Sequence, residues 1–334
     1  MRVAVVGAGW IAQDHLALLR GRVPVVAVCD VDRKRAALAA ESTGAAVYTD
    51  VEELLERERP EAVFVCTPPL AHRGPAVAAL ERGVHVYLEK PIARTVEDAR
   101  AIVAAAEAGE AVCAVGYQWH ALDLLDDVWR ELDGQRVALL AGRSLGPTQA
   151  RPWFLDRAQG GGNVLERASH HIDLQRAIAG EVAAVQAWAS DVLLAQGEGE
   201  RGDIEDAVAL LLHFASGAVG TIVVAWTRAG TPGVYALDVV AEEATLQLTL
   251  DPDFRLSGVS RGRRIVARTQ QRPFERSVAR FLEAAAGRDT PPVFCTPADA
   301  AGTLAVALAC EQALAAGGSV EVSSATGRPS GSAP

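Results

Sequence analysis

Apolar residues in the first 120 positions come in short runs separated by amphipathic stretches. Residues 2–6, 24–29, 62–66, 84–88 and 111–116 are compact Val-rich runs, the pattern of strands buried on both faces of a parallel sheet. Between them the spacing predicts helices near 10–20, 32–41, 70–82 and 95–108. The last opens on Thr95 with Glu97 and Asp98 in its first turn and stops at Gly109. Strands and helices alternating in this way predict an α/β fold built on a doubly wound parallel sheet. After Tyr117 the pattern changes. Segments 136–143, 182–190, 207–214, 218–226, 234–241, 244–250 and 263–268 read as strands joined by turn signals such as Ser216-Gly217. Hairpin-length connections predict an α+β domain with an open, mostly antiparallel sheet. A helical stretch at 164–179 interrupts it, and helices near 273–286 and 297–316 follow, the second with Thr296 as N-cap and Pro297 at its first position. The expected division is 1–118 and 119–322, with a Ser/Gly/Pro-rich tail, 323–334, expected to be disordered.

The first strand runs into Gly7-Ala8-Gly9-Trp10-Ile11-Ala12, a GxGxxA turn that opens the first helix. Gly7 suits the tight turn, Gly9 lets backbone approach a pyrophosphate, and Ala12 allows close helix–strand packing. The helix start offers free N–H groups and a partial positive charge to phosphates. Alone, such a turn is also compatible with a Gly-rich corner that binds nothing. The second strand, however, ends at Asp30, 21 residues after Gly9, where a carboxylate can take both hydroxyls of an adenosine ribose. That pairing predicts a Rossmann domain holding a nicotinamide dinucleotide. An acid at this position repels a 2′-phosphate, so NAD is expected over NADP. Arg33, Lys34 and Arg35 either soften that preference or form a solvated helix face.

A second constellation is Thr67-Pro68-Pro69, then His72, then Glu89-Lys90-Pro91. Thr67 and Lys90 fall at carboxyl ends of predicted parallel strands, the edge where open α/β sheets bind ligands. A lysine after a strand is ordinarily a solvated charge. In this chain only Lys34 and Lys90 are lysines among 32 cationic residues, so a lysine kept at 90 suggests a site that needs a compact, multi-donor ammonium. A third is Gly160-Gly161-Gly162 followed by Glu166, His170, His171 and Asp173. On a regular helix Glu166, His170 and Asp173 lie within ~60° of one another. An acid–His–acid face suits a metal, a base with orienting carboxylates, or a surface salt-bridge face. No further His/Cys/Asp cluster lies nearby, so no metal is expected; His171 points away and is expected to be structural.

Composition narrows the classes. The net charge is −10 with no basic block, which disfavours nucleic-acid binding. No apolar run reaches the ~18 residues of a membrane span, and no secretory leader is read at the N-terminus. Five scattered cysteines without a CxxC pair fit a reducing cytoplasm.

Together these residues resemble the glucose–fructose oxidoreductase / inositol dehydrogenase / rhizopine catabolism (Gfo/Idh/MocA) family. The resemblance rests on GAGWIA, the TPP…H segment, Glu89-Lys90-Pro91, Val115-Gly116-Tyr117-Gln118, the stretch from Gly160 to Asp173, and Asp206-Ala207…Gly217-Ala218…Gly220, in order along nearly the whole chain. It implies a Rossmann domain followed by a substrate domain with an open sheet, and substrate bound over the nicotinamide. It implies that Lys90 polarises the reacting oxygen, that His170 is the general acid/base, and that Asp173 and Glu166 complete the site. The implied cofactor contacts are Gly7, Gly9, Trp10, Ile11, Asp30, Thr67, Pro68, His72, Glu89, Lys90, Pro91 and Gln118. The implied partners are a sugar, cyclitol or related polyol and further copies of the chain, as a homodimer or homotetramer paired through the sheet. Two segments depart from inositol-acting members: Glu166 and Ala168 stand where Asp and Gly are common, and Trp119-His120 where many have arginines. They bear on the substrate, not on the reaction type. Two other activities stay open: a dinucleotide-sensing regulator without turnover, and an enzyme that keeps its cofactor and recycles the hydride.

Overall fold

A computed structural model describes residues 1–147, 155–192, 203–227, 233–288 and 292–323. By packing, the chain divides into two units: Met1–Tyr117 with Phe274–Ala301, and Gln118–Pro273 with Gly302–Pro334. Most of the tail expected from 323 lies outside the described residues.

The first unit carries strands β1 (Val3–Val6), β2 (Val25–Cys29), β3 (Ala46–Tyr48), β4 (Ala62–Val65), β5 (His85–Leu88) and β6 (Cys113–Val115). They form one parallel sheet in the order β3-β2-β1-β4-β5-β6. The strand order reverses between β1 and β4, the switch point of a Rossmann sheet. The Val-rich runs are strands because they are buried on both faces, with β1 and β4 wholly inside. Pattern alone misses β3 and the helix Val51–Glu58. That strand is only three residues long, and the helix is announced chiefly by its cap, Asp50, which accepts from Glu53 N at 2.8 Å.

The helix Pro273–Ala285, which follows the second domain in sequence, delivers Val278 and Phe281 to the first unit's core. There Phe281 stands edge-on to Phe64 and Tyr87, 5.5 Å from each, and those two rings stack at 5.1 Å. A linear division at 118 assigns this helix to the second domain; its packing places it in the first. Packing of Phe281 against two buried rings outweighs chain order.

The second unit holds strands β7 (Val137–Pro147), β8 (Val182–Ser190), β9 (Ala207–Phe214), β10 (Val219–Thr227), β11 (Val234–Ala241), β12 (Ala244–Thr249), β13 (Arg255–Ser260), β14 (Arg263–Arg268) and β15 (Val320–Glu321). Their order is β14-β13-β12-β11-β7-β10-β9-β8-β15. All neighbours are antiparallel except β7 and β10. The helix Ser169–Ala179 lies on one face. Two glycines receive it: a Cβ on Gly142 would sit 2.6 Å from His171 Nδ1, and one on Gly220 2.4 Å from Gln175 Oε1. On the opposite face Leu139, Leu145, Leu211, Val219, Val223 and Val234 are exposed.

His171 is fully buried, as its structural assignment expects, with Nε2 3.2 Å from Ser144 Oγ. Burial pushes its pKa down to about 4 from 6.5. The folded form therefore binds its proton less readily than the unfolded chain, so this group's contribution is intact above pH 6.5 and is lost as pH falls towards 4. Between pH 7 and pH 5 that loss is about 2 kcal/mol. In urea titrations at the two pH values, His171→Gln should show a pH dependence smaller by that amount. An unchanged dependence would contradict the neutral buried imidazole.

Candidate functional site

The carboxyl edge of the six-stranded sheet gathers most of the residues singled out in the first domain. Gly7 leaves β1 at φ +94°, and a Cβ there would lie 2.6 Å from the carbonyl carbon and oxygen of Cys66. Only glycine lets the turns after β1 and β4 pass so closely. Gly9 differs: it caps the helix Trp10–Leu19 without a side-chain hydrogen bond, and a Cβ there would meet nothing within 4 Å. The space before this helix start is open, which suits an approaching phosphate. Asp30 is held by three donors: Ala8 N on Oδ2 at 2.8 Å, and Asp32 N and Arg35 Nη2 on Oδ1 at 2.9 and 3.0 Å. Arg35 thus lies on the carboxylate expected to read the ribose, and is not merely a solvated charge.

Thr67 follows β4, and its Oγ1 is buried with no hydrogen-bond partner. A buried hydroxyl left unpaired is costly unless a ligand completes it. Pro68 beside it is exposed, and Trp10, Val31 and Leu70, which follow β1, β2 and β4, are 60%, 87% and 65% exposed. Ile11 is half-buried. An apolar rim around a helix start and an orphaned hydroxyl fits a dinucleotide.

His72 and Glu89 are turned to protein partners instead. His72 is fully buried, with Nδ1 2.9 Å from Pro91 O and Nε2 2.8 Å from Thr67 O, so its ring ties the loop after β4 to the one after β5. Burial pushes its pKa below the ordinary histidine value. The Glu89 carboxylate points inward to His15, Oε1 to Nε2 2.8 Å, and would lie 3.1 Å from a Cβ on Gly116. Lys90 follows, half-buried, and Pro91 is buried. Helix periodicity alone gives His15 no function; its place on the buried face of the helix after Gly9 was the available signal.

In the second unit the residues from Val164 to Ala168 form a π turn that leads into the helix Ser169–Ala179. The single-face argument for Glu166, His170 and Asp173 assumes 3.6 residues per turn throughout, and the wider turn shifts Glu166 out of that register. Glu166 and His170 are half-buried and Asp173 is buried. Asp173 Oδ2 lies 3.4 Å from His120 Nδ1, and its Oδ1 accepts from Thr303 Oγ1 at 3.4 Å. His120 is the residue that motif spacing missed. It comes two residues after Gln118, itself half-buried, on the short turn Gln118–Ala121. Trp119 on that turn packs against both histidine rings, tilted at 5.2 Å from His170 and edge-on at 4.9 Å from His171.

All five cysteines are free and buried. No helix among the described residues is long and apolar enough to cross a membrane.

Residues 1–117 match the Gfo/Idh/MocA family pattern described as an oxidoreductase family, NAD-binding Rossmann fold, and residues 136–247 match the Gfo/Idh/MocA C-terminal domain. The chain is 34% identical over 186 residues to D-glucoside 3-dehydrogenase of Escherichia coli K12, an alignment covering 52% of each protein. It is 31% identical over 229 residues to 1,5-anhydro-D-fructose reductase of Ensifer adhaerens, covering 65% of this chain and 67% of that one. With the first curated relatives the match spans about half of their length or less. In fold it is similar to the WlbA dehydrogenase of Bordetella pertussis in complex with NADH and UDP-GlcNAcA. There the TM-score is 0.80 at 22% identity, with 97% of this chain and 99% of that one covered.

Proposed function

The chain belongs to the Gfo/Idh/MocA oxidoreductase family, and from that premise we propose that it is an NAD-dependent oxidoreductase acting on a secondary hydroxyl or keto group of a sugar, cyclitol or related polyol. The observation that carries this reading is one edge of one sheet: the open cradle at Gly9, the orphaned Thr67 hydroxyl and Lys90 all lie at carboxyl ends of β1, β4 and β5. When bound, the nicotinamide supplies the hydride acceptor or donor. Gly7 and Gly9 hold the turn open for the pyrophosphate, Asp30 receives the ribose hydroxyls, and Thr67, Pro68, Trp10 and Ile11 line the approach. Lys90 donates a hydrogen bond to the reacting oxygen as negative charge develops there. His170 takes the hydroxyl proton in oxidation and returns it in reduction. Asp173 and Glu166 act as acidic groups around it, and Gln118 borders the cofactor. His72, Glu89 and Pro91 hold the loops that present Thr67 and Lys90. An acid at 30 favours NAD; Arg35, already on that acid, is the group through which NADP would be accommodated.

The test is reduction of NAD and NADP in parallel, followed at 340 nm over a panel of sugars and cyclitols. Turnover on a polyol is expected, faster with NAD. Binding of NAD without any absorbance change across the panel would favour the sensing role, and stoichiometric NAD in the purified protein would favour the recycling enzyme. The same reading extends to assembly: the exposed Leu139, Leu145, Leu211, Val219, Val223 and Val234 make an apolar sheet face suited to another copy, giving a homodimer or homotetramer. Light scattering should report a multiple of the 35.1 kDa chain; a monomeric mass would exclude it.

A further inference from the structure

A cation withdrawn from water is normally balanced by a carboxylate. The second unit's other half-buried arginines follow that rule: Arg176 bonds Glu181, Arg157 bonds Glu205, and Arg143 bonds Asp238 at 3.2 Å. Arg167, in the π turn between Glu166 and His170, does not. No carboxylate oxygen among the described residues comes within 4.0 Å of its guanidinium. Glu166 acts on it only at longer range, and burial pushes its pKa down. Its contacts are neutral. Nη2 donates to Tyr235 Oη at 3.1 Å and Nη1 to Ala225 O at 3.4 Å, while Cζ sits 3.8 Å above the Trp226 ring.

A guanidinium presents five N–H donors in a planar fork. Two are used here, and the π face of Trp226 fixes the plane without neutralising the charge. The glycine at 146 leaves room for the tyrosine that holds the fork: a Cβ there would lie 3.0 Å from Tyr235 Oη. An oriented, half-desolvated guanidinium with no carboxylate on it among the described residues matches a planar monoanion, which it can bind through two parallel hydrogen bonds. A single cation suits one carboxylate better than a phosphate dianion.

We propose that Arg167 recognises a carboxylate on the substrate, so that the substrate class is a sugar acid, a uronate or an aldonate. This rests on the oxidoreductase reading above and narrows it. Arg167 is a specificity residue: it holds the substrate's acid group while His170, three residues on, serves the hydroxyl.

The experiment compares D-glucuronate, D-galacturonate and D-gluconate with D-glucose, D-galactose and D-glucose 6-phosphate. It reads kcat/KM with NAD and, independently of turnover, equilibrium binding to the NAD-loaded protein by calorimetry. At least one sugar acid should be preferred over its neutral congener. That preference should fall by ~10²-fold in Arg167→Met and partly return in Arg167→Lys, whose charge is retained. A purely architectural arginine would lower acid and neutral sugars alike, and that result overturns the proposal while leaving the oxidoreductase reading standing. Binding of an acid that depends on Arg167 without turnover keeps the proposal and removes the oxidoreductase reading. Binding of the phosphate ester alone, or of no sugar acid, overturns the proposal.

Discussion

Lys90→Met is expected to lower kcat by ~10²-fold or more while NAD still binds, and His170→Asn to do the same by a different route. Methionine keeps the length and apolar stem of lysine and removes only the ammonium. The loss therefore measures hydrogen bonding to the reacting oxygen, not packing of the loop after β5. Asparagine keeps a polar group at 170 but cannot accept and release a proton near neutral pH. The two variants separate in their pH response. With His170 replaced, the rate should rise with pH as hydroxide replaces the missing base; with Lys90 replaced, the pH profile should keep its shape at lower amplitude. Stopped-flow absorbance at 340 nm under single-turnover conditions reads the hydride step itself, and titration of nucleotide fluorescence reads cofactor affinity. Because such residues act as a unit, the double variant should fall little below the worse single one. Full activity in either single variant would remove that residue from the chemistry.

How far the sequence carried this picture depended on scale. Short Val-rich runs of the first unit were legible because burial on both faces leaves no room for polar residues, and the glycines of the first turn because their φ and close approach admit nothing else. Caps such as Thr95, which accepts from Asp98 N at 3.1 Å, were legible for the same local reason. What depends on contacts distant in sequence was not. The placement of Phe281 beside Tyr87 has no local signature. The π turn at 164–168 was invisible to a periodicity that assumes regular turns, and it lies where the candidate chemistry begins. His120 escaped because its partner, Asp173, is 53 residues away in sequence. Glu89 illustrates the remaining limit: a motif names the residue, but only the fold shows that its carboxylate turns inward.

That inward turn sets the second large effect. His15 is fully buried, ringed by Phe64 and Tyr87 at 5.2 Å and Phe274 at 4.8 Å, and its Nε2 meets Glu89 Oε1 at 2.8 Å. The pair joins the helix that begins at Gly9 to the residue preceding Lys90, whose own N–H lies 3.3 Å from Glu89 Oε2. Removing one member leaves the other's polar group buried without its main partner. His15→Leu and Glu89→Leu should therefore each lower the unfolding free energy by about 3–5 kcal/mol. Replacing both removes the polar atoms together, and apolar residues of similar volume fill the same space, so the double variant should recover much of the loss. Glu89→Gln keeps a hydrogen-bond acceptor and should cost closer to 1 kcal/mol. Urea unfolding of the four proteins completes the double-mutant cycle. A coupling energy of several kcal/mol identifies the pair as one unit, whereas additivity within about 0.5 kcal/mol would mean that the two side chains are stabilised independently. The pair also anchors both the phosphate cradle and the lysine. Each single variant should therefore weaken NAD binding and slow turnover together, a joint loss that Lys90→Met, acting only on the reacting oxygen, should not produce.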